Sequence, residues 1–148
     1  MQSNGTVNHS EVEAANGATS SYDPTRGEGK FDSTNLQIWP LDASIATKWK
    51  SISETKCTSC HKMSNEQLVG PGWKGVTSRH TSYWIMNFIT NPDPMIDKDL
   101  EGQAQLELCL VRMPNQNLAE DEARNILEYM RQMMELNNIT DKHYSTFI

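Results

Sequence analysis

Two cysteines and a histidine lie within five consecutive residues, in the order Cys57-Thr58-Ser59-Cys60-His61. Two thiols at this spacing can add to the two vinyl groups along one edge of a porphyrin. The histidine that follows at once can bind the iron of that porphyrin through a ring nitrogen. The motif therefore predicts one covalently attached haem c, held by Cys57 and Cys60, with His61 as an axial iron ligand.

Three other interpretations of the cysteine pair remain open at this point. A thioredoxin-like dithiol follows a strand in a βαβ unit, and no strand pattern precedes Cys57. A structural zinc site needs four ligands, whereas the third cysteine and the other histidines are scattered along the chain. A pair with a purely structural role is the third alternative. All three explain fewer of the five positions than haem attachment does.

Composition fits one domain and excludes two classes of protein. The chain has 148 residues, a formal net charge of −6 and 36% hydrophobic residues. Binding to nucleic acid requires a basic surface that neutralises phosphates, so nucleic acid is not an expected partner. No apolar run approaches the roughly 18 residues that span a bilayer, so no transmembrane helix is expected.

Residues 1–37 are predicted to form a flexible polar tether, and residues 38–148 are predicted to form the folded domain. The first segment is rich in Ser, Asn, Gly, Thr and Glu, and it lacks periodic apolar positions. Such a composition buries too little surface to offset the entropy of an ordered chain. An alternative remains in which the fold begins earlier, at Phe31 or Leu36.

Helical periodicity predicts the element that carries the cysteine pair. Asp42 is a suitable N-cap for a helix over about residues 43–54, with Ile45, Trp49 and Ile52 on one apolar face. This helix delivers the chain to the motif. No strand pattern occurs in the sequence, so the domain is predicted to be all-α.

Three helices are predicted after the motif, over residues 82–90, over residues 100–111 and from residue 117 onward. Asp93-Pro94 is predicted to begin a loop between the first two, because proline disrupts helices. Asn117 is predicted to cap the last helix, with Glu120 as its partner in a capping box.

The ordered motifs resemble those of the class I c-type cytochromes. The resemblance covers residues from about 41 to 136. After the cysteine pair it rests on the motifs Leu68-Val69-Gly70-Pro71-Gly72-Trp73-Lys74-Gly75-Val76 and Met113-Pro114-Asn115, and on the terminal helix. It implies a fold in which the first and last helices cross, with one haem. Residues 91–115 are also similar to respiratory cytochrome domains that serve terminal reductases such as nitrous oxide reductase.

Eight methionines are present, so the sixth iron ligand needs an argument. Met113 lies in an irregular segment before a proline, and the resemblance implies that a methionine in this position is the second axial ligand. Met95, His80 and an open position are the alternatives. The expected coordination is therefore His61 and Met113, the His/Met pattern of cytochromes c.

Four further residues are expected at the haem. The resemblance implies that the carbonyl of Pro71 accepts the proton of the ligand histidine, and that Arg79 binds a propionate. Trp73 and Trp84 are expected to form pocket walls, with indole N–H groups that reach a propionate. A simple loop breaker and a solvated charge are the structural alternatives for the first two.

Two expectations concern residues outside these motifs. Trp49 and Tyr129 are expected to form the contact between the first and last helices. Cys109 lies on a mostly apolar stretch and is expected to be a buried, unreactive thiol.

Charge is distributed unevenly along the sequence. Basic residues cluster around the motif, at Lys48, Lys50, Lys56, Lys62, Lys74 and Arg79. Acidic residues dominate the region before Met113, at Asp93, Asp97, Asp99, Glu101 and Glu107. Such a dipole can orient the encounter with a redox partner, and an ordinary solvated surface is the equal alternative.

Three classes of function are compatible with a haem domain: a one-electron carrier, an enzyme or gas sensor with an open iron position, and a fixed subunit of a larger complex. Two filled axial positions leave no vacancy for a small molecule, which favours a carrier between redox proteins and not an enzyme. The carrier is expected to be a monomer. The resemblance implies a periplasmic or other extracytoplasmic location. The polar N-terminal segment fits a membrane anchor in which Met1 stands in place of a lipidated cysteine.

We expect haem to stay with the chain through acid–acetone extraction and denaturing electrophoresis, because thioether bonds survive both treatments. A haem stain of the gel measures this retention. Loss of the stain from the protein band, or zinc in its place on elemental analysis, would contradict the interpretation of the motif.

Overall fold

A computed structural model describes the backbone of residues 22–144 and the side chains of residues 22–136. Within these residues the chain forms α-helices and no strand, which confirms the all-α prediction. The helices are α1 (Ala43–Ala46), α2 (Trp49–Lys56), α3 (Val76–Arg79), α4 (Ser82–Thr90), α5 (Pro92–Lys98), α6 (Leu100–Cys109) and α7 (Glu120–Tyr144). No helix in this part of the chain has the length and apolar character needed to cross a bilayer.

The predicted first helix is divided into α1 and α2. Asp42 caps α1 as predicted, because its carboxylate accepts hydrogen bonds from the backbone N–H groups of Ser44 and Ile45. Helix α2 ends at Lys56, and its C-cap residue Cys57 still donates its N–H to the Ser53 carbonyl. The cysteine pair then lies in a turn in which the Cys57 carbonyl accepts from the N–H groups of Cys60 and His61, at 3.0 and 2.9 Å.

Helix α7 is the element against which α1, α2, α3 and α4 all pack. The ring of Trp49 stacks on that of Tyr129, with 3.4 Å between centroids and 11° between planes, as the sequence predicted. Ala46 and Ala123 are fully buried, on α1 and α7 respectively. Small side chains at these positions leave little bulk between the helix backbones.

Two predictions about the helices are wrong. Helix α5 occupies the place of the predicted loop, because Pro92 and Pro94 lie in its first turn, where proline has no helical hydrogen bond to remove. Helix α7 begins at Glu120, and Asn117 has a left-handed conformation, with φ of 50°. The capping interaction lies two residues later, where the Ala119 N–H donates to the Glu122 carboxylate at 3.0 Å.

The segment of residues 22–36 packs against the domain, which differs from the predicted tether of residues 1–37; the first 21 of those residues lie outside the described part. Phe31 and Leu36 are buried in the core. The buried amide of Asn87 donates to the carbonyls of Arg26 and Phe31, at 2.9 and 3.1 Å, and accepts from the Phe31 N–H at 2.8 Å. The alternative in which the fold begins before residue 38 therefore describes this segment better.

Helix α6 ends in an unusual residue. Leu110 is its C-cap, has a left-handed conformation with φ of 58° and ψ of 11°, and is 84% exposed. Glycine or asparagine normally occupies such a position, because a side chain with a Cβ is strained there. The non-helical segment that follows carries Met113 and leads to α7.

Replacing Asn87 by Ala should detach residues 22–36 from the domain, because the Phe31 N–H and two carbonyls lose their buried partner. The expected cost is about 1–3 kcal/mol of the free energy of unfolding. Chemical denaturation measures the loss, and limited proteolysis should show new cleavage within residues 22–36. The exposed Asn65→Ala variant serves as the control. Equal stability and protection in both variants would contradict the role of Asn87.

Candidate cofactor site

A large cavity with mostly apolar walls lies between the cysteine pair and helices α4, α6 and α7. It encloses about 1250 Å³, part of it open to solvent. All eight residues predicted for the site line this one cavity: Cys57, Cys60, His61, Pro71, Trp73, Arg79, Trp84 and Met113. Residues up to 56 positions apart in the sequence thus meet around one space large enough for a flat organic cofactor.

Cys57 and Cys60 form no disulfide with each other. Burial raises the pKa of the Cys57 thiol to about 11. A redox-active dithiol needs a stabilised thiolate, so this environment argues against a thioredoxin-like role. No group of three or more His, Cys, Asp or Glu residues in the described part of the chain could hold a metal ion.

His61 is held in one tautomer. Its Nδ1 lies 2.8 Å from the carbonyl oxygen of Pro71, and a carbonyl can only accept, so Nδ1 carries the proton. Burial lowers the pKa of His61, and the hydrogen bond to Pro71 opposes this shift. The ring is therefore neutral at neutral pH, with a free lone pair on Nε2. A neutral imidazole whose other nitrogen is fixed by a hydrogen bond is the usual state of a histidine that binds a metal.

The loop after the motif fits closely around this histidine. A Cβ at Gly70 would lie 2.5 Å from Cε1 of His61, so only glycine allows the observed approach. Arg79 donates to the carbonyls of Lys74 and Gly72, at 2.7 and 3.0 Å. Arg79 therefore braces the loop as well as lining the cavity.

Trp73 and Trp84 are buried in the cavity wall, as predicted. The indole N–H of Trp84, however, donates to the carboxylate of Asp99 at 3.1 Å, and not into the cavity. The expectation that this N–H reaches a propionate is therefore wrong. His80 also lines the cavity, and its ring stacks on that of Trp84 with 3.8 Å between the centroids.

The two candidate methionine ligands lie in different places. Met113 lines the cavity, whereas Met95 is fully buried elsewhere, with its sulfur 3.0 Å from the backbone N–H of Glu28. The residue before Met113 is fixed by two ion pairs, because Arg112 contacts Asp93 at 2.9 Å and Asp97 at 2.6 Å. These ion pairs hold the start of the methionine segment against α5.

Residues 46–134 match the family described as Cytochrome c. The chain belongs to the cytochrome c family. The solved structure of cytochrome c from Rhodothermus marinus is 33% identical, with a TM-score of 0.65, over 76% of this chain and 93% of that one. An engineered variant of the R. marinus protein is 32% identical, with a TM-score of 0.66, over 76% of this chain and 99% of that one.

A third solved structure is the same engineered R. marinus protein bound to a carbene intermediate. It is 32% identical, with a TM-score of 0.63 and coverage of 76% of this chain and 99% of that one. A comparison with curated protein sequences returned no match. The family match and these structures establish the class I fold of a cytochrome c with one haem.

This cytochrome carries one haem c, attached covalently through Cys57 and Cys60. The observed site fits the cofactor for three reasons. The cavity has apolar walls, the two thiols lie at its edge, and the neutral His61 borders it. The fold and the cofactor predicted from the sequence are thereby confirmed.

Several residues at the cavity were missed by the sequence analysis. Gln105 and Gly102 line it from α6, and Cys109 is half-buried beside them, where burial raises the pKa of its thiol. Helix α6 has no clear apolar face, so its pattern gave no signal for which residues point inward. Asp99 was counted among the surface charges, although it is 1% exposed.

Several charges around the cavity are paired within the protein. Lys56 contacts Glu122 at 3.3 Å, and Lys62 contacts Glu66 at 2.9 Å. On the acidic side, Arg112 pairs with Asp93 and Asp97, as described above. These local pairs neutralise part of the charge dipole that the sequence suggested.

Replacing Gly70 by Ala should push the ring of His61 away from Pro71, since the new methyl group would overlap the ring. Overpacking of this kind costs about 1–3 kcal/mol of the free energy of unfolding. Denaturant titration of the haem-loaded protein measures the cost, and its absorption spectrum reports a disturbed histidine ligand. The exposed Leu68→Ala variant should change neither property. An unaltered spectrum and stability in Gly70→Ala would show that the close fit is unimportant.

Proposed function

We propose that this cytochrome is a one-electron carrier whose haem iron is coordinated by His61 and Met113. One observation carries the proposal: the neutral His61 and the thioether of Met113 border the same cavity as the two cysteines. Met95 lies outside the cavity, where its sulfur accepts a hydrogen bond from the Glu28 N–H. His80 also lines the cavity, but its ring is stacked on Trp84.

The residues of the chain hold and orient the cofactor. Cys57 and Cys60 fix one edge of the ring, and the Pro71 carbonyl fixes the plane and the tautomer of His61. The buried side chains of Ile85 and Ile126 form part of an apolar wall that excludes water. Because this site is packed and excludes water, the protein and solvent around it need to rearrange little when the cofactor gains or loses an electron.

Bound haem c supplies an iron that passes between Fe(II) and Fe(III) without breaking any bond to a substrate. The soft thioether of Met113 favours Fe(II) and so raises the reduction potential. The hydrogen bond from His61 to Pro71 has the opposite tendency, because it increases the basicity of the imidazole. The potential of the carrier is set by the balance between these ligands and the charges around the cavity.

The partners of such a carrier are other redox proteins, which is the general property of the family. Respiratory-chain proteins fit this role, with a copper-containing terminal reductase or oxidase as the acceptor suggested by residues 91–115. We place the protein outside the cytoplasm, because covalent haem attachment in the family occurs there. We expect it to be a monomer. Anchorage to a membrane through the N-terminus stays a prediction, which a signal sequence ending in cysteine in the gene would support.

An enzyme or gas sensor is the competing function. The engineered R. marinus cytochrome that holds a carbene intermediate shows that the fold accepts a small molecule after redesign. In this chain Met113 borders the cavity, anchored through its neighbour Arg112 on α5. Met113 bound to the iron would fill the position that a small molecule would need, which favours the carrier.

Replacing Met113 by Leu removes the thioether while nearly keeping the volume. We expect loss of the weak far-red methionine-to-iron absorbance in the oxidised protein, a lower reduction potential and rapid binding of carbon monoxide by the reduced protein. Absorption spectroscopy and redox titration measure all three. Fast binding of carbon monoxide by the unaltered protein would favour the enzyme or sensor.

The matched control is Met95→Leu, which makes the same chemical change at a buried methionine outside the cavity. It should lower stability slightly, because the Glu28 N–H loses its acceptor, and leave the three haem properties unchanged. If Met95→Leu gives the three effects and Met113→Leu does not, the ligand assignment is wrong although the carrier role survives.

A further inference from the structure

The carboxylate of Asp99 lies buried directly behind the cofactor wall, with 1% of the residue exposed. Its Oδ1 accepts from the indole N–H of Trp84 at 3.1 Å and from the backbone N–H of Gly102 at 2.9 Å. Its Oδ2 accepts from the hydroxyl of Tyr22. Three hydrogen-bond donors within the described residues thus contact this carboxylate, an arrangement that suits a negatively charged group.

Tyr22 takes part only as a hydrogen-bond donor. Burial, together with the hydrogen bond to Asp99, raises the pKa of its phenol, so the hydroxyl keeps its proton. Tyr22 comes from the N-terminal segment that Asn87 holds against the domain, 77 positions from Asp99 in the sequence. The segment therefore completes a polar site next to the cavity.

A helix cap alone does not explain an aspartate here. Asp99 is the N-cap of α6, and capping needs one acceptor, which Asn or Ser supplies nearly as well. A buried charge is costly unless it is compensated. The other buried carboxylate, Glu128, forms ion pairs with Arg124 and Arg131, both at 2.8 Å. Within the described residues, no Lys or Arg forms an ion pair with Asp99, so its negative charge is not neutralised in the same way.

Trp84 connects this charge to the cofactor. Its ring lines the cavity, and its N–H holds Asp99 one residue behind the wall. The ring is itself packed between His80 and Phe88, with centroid distances of 3.8 and 5.0 Å. Both Asp99 and Trp84 are buried, so little water lies between this carboxylate and the cavity. A negative charge on Asp99 is therefore only weakly screened from the cavity.

We propose that Asp99 is a positioning residue that fixes Trp84 in the cofactor wall and whose charge lowers the reduction potential. This inference rests on the proposed function, one-electron transfer at a haem in this cavity. Oxidation adds one positive charge to the iron centre, and a nearby anion in a medium of low dielectric stabilises that state. Asp99 thus opposes the rise in potential that Met113 causes.

The test uses the haem-loaded Asp99→Asn and Asp99→Ser variants, both of which can still cap α6. Redox titration should show that the equilibrium constant for reduction increases, on the order of threefold to tenfold. The control is Glu107→Gln, which removes an exposed carboxylate from the same helix and should change the constant less than about twofold, because water screens the charge. An effect of Asp99→Asn no larger than that of Glu107→Gln overturns the proposal.

The Tyr22→Phe variant tests the sign. Removing this donor leaves the charge of Asp99 less compensated, so the equilibrium constant for reduction should decrease, opposite to the change in Asp99→Asn. If a substitution only loosened the cavity wall, water would enter and stabilise the more highly charged oxidised form in every variant. A decrease of the equilibrium constant for reduction in both Tyr22→Phe and Asp99→Asn would therefore indicate a purely structural role and overturn the inference.

The same samples separate this inference from the proposed function. The far-red absorbance of the oxidised unaltered protein reports methionine coordination. Its absence sinks the proposed coordination by Met113. Its presence in all variants, together with an unchanged equilibrium constant in Asp99→Asn, sinks only the role of Asp99.

Discussion

The packing of α1 and α2 against α7 is the interaction on which the rest of the domain depends. The stacked rings of Trp49 and Tyr129 lie in this contact, and the fully buried Ala46 and Ala123 add little bulk to it. Helix α2 leads directly into the cysteine pair, so the position of the thiols is set by this contact. Ile126 and Met130 of the same α7 also line the cavity. One helix therefore both supports the segment that carries the thiols and forms part of the cavity wall.

Local chemistry made much of the site predictable. The cysteine pair, His61 and the Pro71 carbonyl act over short stretches of chain, so their relation is encoded in sequence spacing. The hydrogen bond from His61 to Pro71 spans only ten positions. Helix α4 was predicted with the bounds that it has, because its apolar residues are nearly continuous and Thr81 caps it.

The features that the sequence did not reveal depend on distant partners. Residues 22–36 lack a periodic apolar pattern, and their order comes from backbone groups that bond to Asn87. Helix α5 was taken for a loop because proline breaks helices in their interior but is accepted in the first turn. Asp99 looked like a surface charge since Tyr22 and Trp84, which bury it, are remote in the sequence.

The two buried carboxylates show how differently one fold can treat the same chemical group. Glu128 is neutralised by two arginines and also accepts from the backbone N–H of Asp42 at 3.0 Å, so it serves the contact between α1 and α7. Asp99 is held by neutral donors directly behind the cavity wall. In our proposal, Glu128 stabilises a helix contact, whereas Asp99 acts on the electrostatics of the cavity.

The left-handed backbone of Leu110 has a kinetic consequence for the methionine segment. An L-residue in this conformation costs roughly 1–2 kcal/mol, and here the strain sits where the chain leaves α6 toward Met113. Local opening starts where stability is lowest, so amide protons near Leu110 should exchange faster than those in the flanking helices. Under the proposed coordination by Met113, release of its thioether would become easier when this turn opens. A glycine at position 110 would relieve the strain and so slow that release.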